Sequence, residues 1–301
     1  MLSFLPAPLL GLIASTLMLL NILLWVPILL LVSMVKLLLP FKPVRLLIDP
    51  LLLRIAEAWI AGNSGWMRLT QRMDWDVTGI EALSPRQWYL VVCNHQSWVD
   101  ILVLQHLLNR RIPLLKFFLK KELIWVPIMG LAWWALEFPF MRRHNEAYLQ
   151  KHPEARGKDA ATTRAACEKY ALVPTSVMNF LEGTRFTSAK HERQQSPYRH
   201  LLKPKAGGLT LALDAMGEKF DAVLDITIVY PDGQPTFTHF LMGRIKRVIV
   251  RVRILPVPKA KAVNGQSSEQ ALRDTCQQWV NALWQDKDAL ISQIIFDKNS
   301  L

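Results

Sequence analysis

The first 35 residues of the chain contain no ionisable side chain. Residues 9–35 are almost wholly apolar, with a few uncharged polar residues and one proline, Pro27. A helix needs roughly 20 apolar residues to cross a bilayer. The absence of ionisable side chains therefore argues against a solvent-exposed amino-terminal segment. It predicts a hydrophobic membrane-anchoring helical segment.

Two features of a cleaved signal peptide are also missing. No positive charge precedes the apolar run, and no A-x-A motif follows it. We therefore expect residues 1–45 to remain as an anchor and residues 46–301 to form one domain. Whether the run crosses the membrane once, or is split at Pro27 into a hairpin that enters one leaflet, stays open.

Several basic residues follow the apolar run, namely Lys36, Lys42, Arg45 and Arg54. Under the positive-inside rule they place the domain on the cytoplasmic side of the membrane. A bacterial inner membrane is the expected location, with the domain facing the cytoplasm.

Cysteine is scarce. The three cysteines, Cys93, Cys167 and Cys276, are far apart and lack C-x-x-C spacing. This pattern excludes a disulfide framework and gives no support for a zinc site. Free thiols suit a reducing compartment, and we expect no bound metal.

Acidic residues are outnumbered, with 24 Asp and Glu against 36 Lys and Arg, for a net charge of +12. Residues 101–121 and 233–268 contain no acid at all. Such an excess suggests an anionic partner. Because the amino terminus is apolar and no recognition motif for nucleic acid is present, we expect membrane lipid and phosphorylated substrates rather than nucleic acid.

Strand-like and helix-like segments alternate through the rest of the chain. The predicted strands cover residues 87–93, 176–181, 223–230 and 248–254. The predicted helices cover residues 98–108, 159–170, 208–216 and 268–296. This order predicts an α/β domain with a mixed sheet flanked by helices, and with ligands at the strand ends.

Residues 123–136 form a second apolar run, LIWVPIMGLAWWAL, which is short for a membrane span. Its three tryptophans favour the membrane interface. Two interpretations remain: a buried core helix kinked at Pro127, or an interfacial segment through which lipid enters the site.

The segment NHQSWVD places His95 and Asp100 after a predicted strand, with Ser97 as a candidate helix cap. Histidine can remove a proton from an attacking hydroxyl near neutral pH, and a nearby carboxylate can orient the ring. Taken singly, each residue is better explained by a structural role, as a capping or core histidine and as a first-turn carboxylate, because a bare H-x4-D spacing is weak evidence.

The segment FLEGTRFT combines Glu182, Gly183, Thr184 and Arg185 after another predicted strand. Glycine permits close backbone approach, threonine offers a hydroxyl and arginine can bind phosphate with two hydrogen bonds. Glu182 could bind substrate hydroxyls or hold Arg185. A plain surface turn with an ion pair is the alternative.

Four motifs in order make the chain resemble the glycerolipid acyltransferase family, which includes the 1-acylglycerol-3-phosphate acyltransferases. NHQSWVD resembles its N-H-x4-D motif and FLEGTRFT its E-G-T-R motif. Between them, residues 120–143 resemble the K-x-L…P…G motif that ends in an arginine, here Arg143. Residues 225–231, DITIVYP, resemble the fourth motif, although the proline comes late. The segment KPKAGG, with Lys205, resembles a lysine–glycine segment that precedes it.

The resemblance spans about residues 91–231 and implies specific roles. It implies that His95 is the general base and Asp100 its partner. Further residues are implied to bind the phosphate or glycerol part of the acceptor: Glu182, Gly183, Thr184, Arg185, Arg143 and Lys205, with Arg142 and Lys203 as further candidates.

The implied reaction is transfer of a fatty acyl group to the free hydroxyl of lysophosphatidic acid, giving phosphatidic acid. The implied donor is acyl-CoA or acyl-carrier protein, and no cofactor is implied. Two alternatives are an acyltransferase acting on another lysophospholipid or polar alcohol, and a catalytically idle membrane protein that binds anionic lipid.

Overall fold

The computed structural model describes residues 2–39, 41–138, 140–141, 173–259 and 268–299. The α-helices in these ranges are α1 (Ala7–Leu38), α2 (Lys42–Thr70), α3 (Val99–Leu108), α4 (Met129–Ala135), α5 (Ser188–Gln194), α6 (Gly207–Met216), α7 (Phe237–Leu241) and α8 (Ser268–Asn299). The strands are β1 (Asp74–Thr78), β2 (Tyr89–Cys93), β3 (Leu115–Phe117), β4 (Leu119–Lys120), β5 (Phe140–Met141), β6 (Ser176–Phe180), β7 (Ala222–Val229) and β8 (Arg247–Leu255).

Six strands form one sheet in the order β1-β8-β7-β2-β6-β3. All neighbours are parallel except β7 and β8, which are antiparallel. The predicted mixed α/β sheet is therefore confirmed. β2 lies between β7 and β6, and all five of its residues are buried, as expected for a central parallel strand covered on both faces. β4 and β5 form a separate two-stranded sheet.

Alternate residues of β2 point into two different cores. Leu90 and Val92 pack with α6 and α8, whereas Val91 and Cys93 pack with α3 and the two amino-terminal helices. Each fully buried aliphatic side chain contributes roughly 1.5–3 kcal/mol to stability. The two cores fix β2 from both sides, so its carboxyl end provides a rigid base for the residues that follow.

The amino-terminal helices α1 and α2 form an antiparallel hairpin. The N–H of Leu2 donates to Leu69 O at 2.8 Å, and Lys36 Nζ pairs with Asp49 at 2.6 Å near the tip. α1 continues through Pro27 without a break, so the possible split of the apolar run at this proline does not occur. α1 is the helix in the described residues that is long and apolar enough to cross a membrane.

The second apolar run is not a buried core helix. It consists of a short 3-10 helix (Lys121–Trp125) and α4, separated at Pro127. The ring of Trp125 is 84% exposed and that of Trp134 is 46% exposed. Glu137, which follows α4, pairs with Lys36 at 3.0 Å. The run therefore lies beside the tip of the hairpin and presents an apolar surface outward.

The predicted strands and helices of the domain are present, with ends shifted by one to three residues. The exception is the predicted polar helix at residues 159–170, which lies outside the described residues. Because β2, β6 and β7 are parallel neighbours, their carboxyl ends meet at one edge of the sheet. The two candidate motifs follow β2 and β6 at this edge.

Candidate active site

Asn94 fixes the start of the first motif against β7. It is fully buried, its Nδ2 donates to Ile228 O, and its Oδ1 accepts from Ile228 N–H, both at 2.9 Å. A buried amide whose donor and acceptor are both satisfied in this way stabilises one arrangement of the chain. The loop that follows β2 therefore leaves the sheet in a defined direction.

His95 and Asp100 are in direct contact. Nδ1 of His95 lies 2.9 Å from Oδ2 of Asp100, whose side chain is fully buried. A carboxylate accepts hydrogen bonds, so Nδ1 carries the proton and Nε2 is left as the basic ring nitrogen. The His95 side chain is 12% exposed, which leaves a narrow access to the ring.

Asp100 is held by several further donors. The backbone N–H groups of Gln96 and Ser97 donate to Oδ2 at 2.6 and 2.9 Å, and Tyr230 Oη–H donates to Oδ1 at 2.7 Å. Ser97 does not act as a conventional cap. Its hydroxyl donates to Pro235 O at 2.7 Å and accepts from Val99 N–H at 3.2 Å.

The His95 ring is stacked on the last residue of β6. The ring centroids of His95 and Phe180 are 3.9 Å apart with an interplanar angle of 14°. Phe180 is itself stacked against Phe117 of β3, with centroids 6.1 Å apart. The hydrogen bond to Asp100 and this aromatic support together fix both the position and the plane of the imidazole.

Glu182 connects two backbone segments instead of facing an open surface. It is fully buried; its Oε1 accepts from His95 N–H at 2.8 Å and its Oε2 from Leu202 N–H at 3.1 Å. Burial raises the pKa of Glu182 to about 8, despite these two hydrogen bonds. The sequence suggested that Glu182 binds substrate hydroxyls or Arg185, whereas its contacts here hold the backbone of the loop that carries His95.

The segment that carries Leu202 is held in turn by α8. Trp284 Nε1–H donates to Leu202 O at 3.1 Å. The carboxylate of Asp288 accepts from the N–H groups of Arg199 and His200, both at 2.8 Å. Contacts from α8 therefore reach the His95 backbone through Leu202 and Glu182.

Gly183, Thr184 and Arg185 form the turn beside this loop. Gly183 has φ +66°, a left-handed conformation that glycine adopts without strain. Lys190 Nζ donates to Thr184 Oγ1 at 2.8 Å and to Arg185 O at 2.9 Å. The Arg185 guanidinium lies over the ring of Trp98, 4.5 Å from its centroid, so a cation lies beside the first motif.

The two remaining predicted binding residues are Lys205 and Arg143. The N–H of Lys205 donates to Leu181 O at 2.7 Å, which places its backbone beside the turn, and its side chain is exposed. Arg143, like Arg142, lies outside the described residues. His95, Asp100 and the four residues at 182–185 are brought together at one edge of the sheet.

Two residues that contact the catalytic loop were not identified from the sequence. Tyr230 binds Asp100, and Gln234 donates through Nε2 to Phe186 O at 2.8 Å and also to Gln96 O. The available signal was the position of Tyr230, at the end of a buried strand and before a Pro-Asp-Gly turn. Within the described residues, no group of three or more His, Cys, Asp or Glu side chains is arranged to hold a metal ion.

The chain is 28% identical over 214 residues to human 1-acyl-sn-glycerol-3-phosphate acyltransferase delta, covering 66% of this chain and 51% of that protein. It is 26% identical over 257 residues to 1-acyl-sn-glycerol-3-phosphate acyltransferase 2 of Arabidopsis thaliana, covering 78% and 61%. The chain thus spans between half and two thirds of the length of these relatives.

A solved structure has the same fold. The crystal structure of the 1-acyl-sn-glycerophosphate acyltransferase PlsC from Thermotoga maritima matches with a TM-score of 0.53 and 18% identity, covering 93% of this chain and 96% of that one. The family model described as Acyltransferase matches residues 74–231, which include both motifs and Tyr230. Since that match covers more than half of the chain, the protein belongs to the acyltransferase family.

Proposed function

We propose that the protein transfers a fatty acyl group from an acyl thioester to the free hydroxyl of lysophosphatidic acid, giving phosphatidic acid for phospholipid synthesis. The observation that carries this proposal is the contact between His95 and a fully buried Asp100 at the carboxyl edge of the sheet. A base oriented in this way suits direct attack by an alcohol.

In the proposed step, the acceptor hydroxyl lies against Nε2 of His95. Nε2 takes the hydroxyl proton as the oxygen attacks the thioester carbonyl carbon, and Asp100 stabilises the imidazolium that forms. The tetrahedral intermediate then collapses, the carbon–sulfur bond breaks, and the proton passes from Nε2 to the leaving thiolate. The products are an ester and a free thiol, and no other reactant is consumed.

The turn formed by residues 183–185, beside His95 and Asp100, binds the acceptor phosphate in this proposal. Arg185 supplies a guanidinium next to Trp98, and Gly183 and Thr184 supply a close backbone and a hydroxyl. We assign the same role to Arg143 and Lys205. Glu182 holds the loop backbone and acts on the substrate only through His95.

The relatives support this choice of acceptor, because they are named 1-acyl-sn-glycerol-3-phosphate acyltransferases. Their names do not specify the thioester, so both acyl-CoA and acyl-carrier protein are kept as donors. Lysophosphatidic acid carries a phosphate monoester, which suits a site with a cation beside the catalytic base.

The test is thioester consumption by the detergent-purified full chain with lysophosphatidic acid, for wild type and His95→Ala. Loss of the base should lower the rate by a factor of roughly 10²–10⁴. His239→Ala, an exposed histidine on α7, is the matched control and should retain wild-type activity. Equal rates for wild type and His95→Ala would show that His95 is not the catalytic base.

Acceptor identity is tested in the same assay with lysophosphatidic acid, lysophosphatidylcholine and a monoacylglycerol. We expect the highest kcat/KM with lysophosphatidic acid, and a loss of this preference in Arg185→Ala. An acceptor without a phosphate that reacts equally well would contradict the proposed role of Arg185 and favour acyl transfer to another polar alcohol.

We also propose that residues 1–45 anchor the protein in the membrane and that residues 46–301 form the acyltransferase domain, with its motifs at residues 91–231. α1 exposes leucines along much of its length. Its partner α2 carries Arg54 and Glu57 in its middle turns, and these are costly inside a bilayer. The start of α1 and the end of α2 lie together at the domain, where Leu2 N–H donates to Leu69 O. This arrangement favours insertion of the hairpin into one leaflet over a single crossing.

In this arrangement the amino terminus and the domain lie on the same side, which we take to be the cytoplasm of a bacterial cell. The test introduces a labelling site by Ser3→Cys, with Glu218→Cys as the control on the domain, in a chain whose native cysteines are replaced by serine. In sealed inside-out vesicles, both sites should react with a membrane-impermeant maleimide. Protection of position 3 alone would indicate that α1 crosses the membrane.

A further inference from the structure

Tyr230 lies directly behind the candidate catalytic pair, on the side away from His95. It follows the last residue of β7, its side chain is buried, and its Oη–H donates to Asp100 Oδ1 at 2.7 Å. The other oxygen of the carboxylate, Oδ2, receives the His95 ring and two backbone N–H groups. Tyr230 is thus the donor that the structure provides for Oδ1.

We propose that Tyr230 is a positioning residue for the acyl-transfer reaction, which holds Asp100 so that Oδ2 faces His95 and sets the basicity of the pair. The inference rests on the proposed function only in assigning a reaction to His95. The contact itself is independent of the substrate. A phenol suits this place because it stabilises an anion by hydrogen bonding while leaving the negative charge in place.

The backbone around Tyr230 is held on both sides. Upstream, Asn94 makes its two hydrogen bonds to Ile228, and downstream Ser97 Oγ–H donates to Pro235 O at 2.7 Å. The loop that carries His95 and the turn that follows β7 therefore move as one unit. Tyr230 cannot withdraw from Asp100 without breaking these contacts, so the hydrogen bond has a fixed geometry.

The phenol also keeps its proton. Burial and the neighbouring Asp100 raise the pKa of Tyr230 well above its usual range, so Oη remains a donor throughout any practical assay. If the hydroxyl is removed, Oδ1 loses its donor in a site without solvent, and the carboxylate becomes more basic. A carboxylate that has lost this donor pairs more strongly with the imidazolium of His95.

The substitution Tyr230→Phe removes only the hydroxyl. Because Asp100 is then no longer held with Oδ2 facing His95, and hydrogen bonds to charged groups are strong, we expect kcat with lysophosphatidic acid to fall roughly 10-fold or more, while the KM of both substrates changes little. The acid limb of the pH profile of kcat/KM should move to higher pH. Tyr198→Phe is the matched control, since Tyr198 Oη–H reaches Asn281 O at 3.5 Å, away from the pair; its profile should match wild type.

A second measurement does not depend on turnover. The ring nitrogens of His95 are followed by ¹⁵N NMR across pH in wild type and Tyr230→Phe, with His95→Gln to assign the signal, and thermal unfolding shows that each variant is folded. An upward shift of the His95 titration supports the proposal. An unchanged titration overturns it, as does a fall in kcat without any shift of the acid limb. A wild type that titrates as expected but transfers no acyl group would instead refute the proposed function.

Discussion

Two fully buried aspartates, Asp100 and Asp225, are stabilised in opposite ways. Asp225 meets two cations: Lys287 Nζ at 2.6 Å and Arg253 Nη2 at 2.7 Å. Asp100 meets two backbone N–H groups, a phenol and an imidazole. The charge of Asp225 is thus neutralised by two cations, whereas that of Asp100 is available for the positive charge that forms on His95 in the proposed reaction.

The ion pair at Asp225 connects the sheet to α8. Lys287 is fully buried, and its Nζ also donates to Ile226 O at 2.7 Å and to Thr227 Oγ1 at 2.8 Å. Nζ therefore has two hydrogen-bond acceptors as well as the Asp225 carboxylate as its ion-pair partner, and such compensation makes a buried ammonium group tolerable. The comparison suggests that one carboxylate serves chemistry and the other serves the fold, and the following substitutions test that division.

The largest effect is expected from Asp100→Asn. The amide cannot stabilise an imidazolium and can favour the wrong tautomer of His95, so kcat should fall by a factor on the order of 10⁴. The melting temperature should change by only a few degrees. Asp225→Asn is the control with the opposite outcome, because it should lower the melting temperature and preserve kcat per folded molecule. Similar effects of both substitutions on kcat would contradict the assignment of a catalytic role to Asp100 and a structural role to Asp225.

Lys287→Met should lower the free energy of unfolding by about 3–5 kcal/mol, because it leaves Asp225 buried without its ammonium partner. Denaturant unfolding measures this loss. The double variant Asp225→Leu with Lys287→Met should recover much of it, since Arg253 is 37% exposed and can turn to solvent. If the double variant were no more stable than Lys287→Met, the loss would come from packing alone.

Glu182 provides an intermediate case, because its buried carboxyl accepts hydrogen bonds from two backbone N–H groups rather than from a cation. Its pKa is raised from 4.5 to about 8 in the folded state, so the folded protein binds the proton more tightly. The stabilising contribution is complete below pH 4.5 and is lost as pH rises towards 8. Denaturant unfolding across this window should show a decline in wild type that is weaker in Glu182→Gln. Parallel curves for the two proteins would contradict the raised pKa.

The smallest effect is expected from a substitution beside Arg185, which differs from Arg253 in its contacts. Arg253 is held by a carboxylate, whereas Arg185 lies on the neutral ring of Trp98, so its charge remains available for a phosphate. Trp98→Leu removes a contact of roughly 0.5–1 kcal/mol, so KM for lysophosphatidic acid should rise about two- to fivefold with little change in kcat. Trp125→Leu, on an exposed tryptophan of the second apolar run, is the control. A change in kcat alone would place Trp98 in the chemistry rather than in recognition.

The sequence was sufficient for the parts of the fold that depend on local pattern. Alternating strands and helices predicted the α/β sheet, and parallel strands bring His95 and Glu182 to one edge because their carboxyl ends coincide. Tyr230 could not be identified in this way. It lies 130 residues from Asp100 in the chain, and no local pattern indicates that its hydroxyl turns inward.

Two other features depended on tertiary contacts that composition cannot reveal. Lys287 occurs in an amphipathic helix, where a lysine is ordinarily solvated, and only the position of Asp225 makes its burial favourable. The run around Trp125 is apolar enough for a core helix, but it is broken at Pro127 and Ile128 has φ 66°. Trp125 and Trp134 are consequently turned outward, whereas Trp133 packs against the core.

The contacts of α8 with residues 199–202 have a consequence for how the protein is made. Translation produces α1 before the candidate site and α8 after it, so the hydrogen bonds that Trp284 donates and Asp288 accepts can form only when α8 has left the ribosome. A growing chain thus has its apolar hairpin available for the membrane long before Leu202, and through it Glu182 and His95, receives its final support. Insertion of the proposed anchor can therefore precede completion of the loop that carries His95.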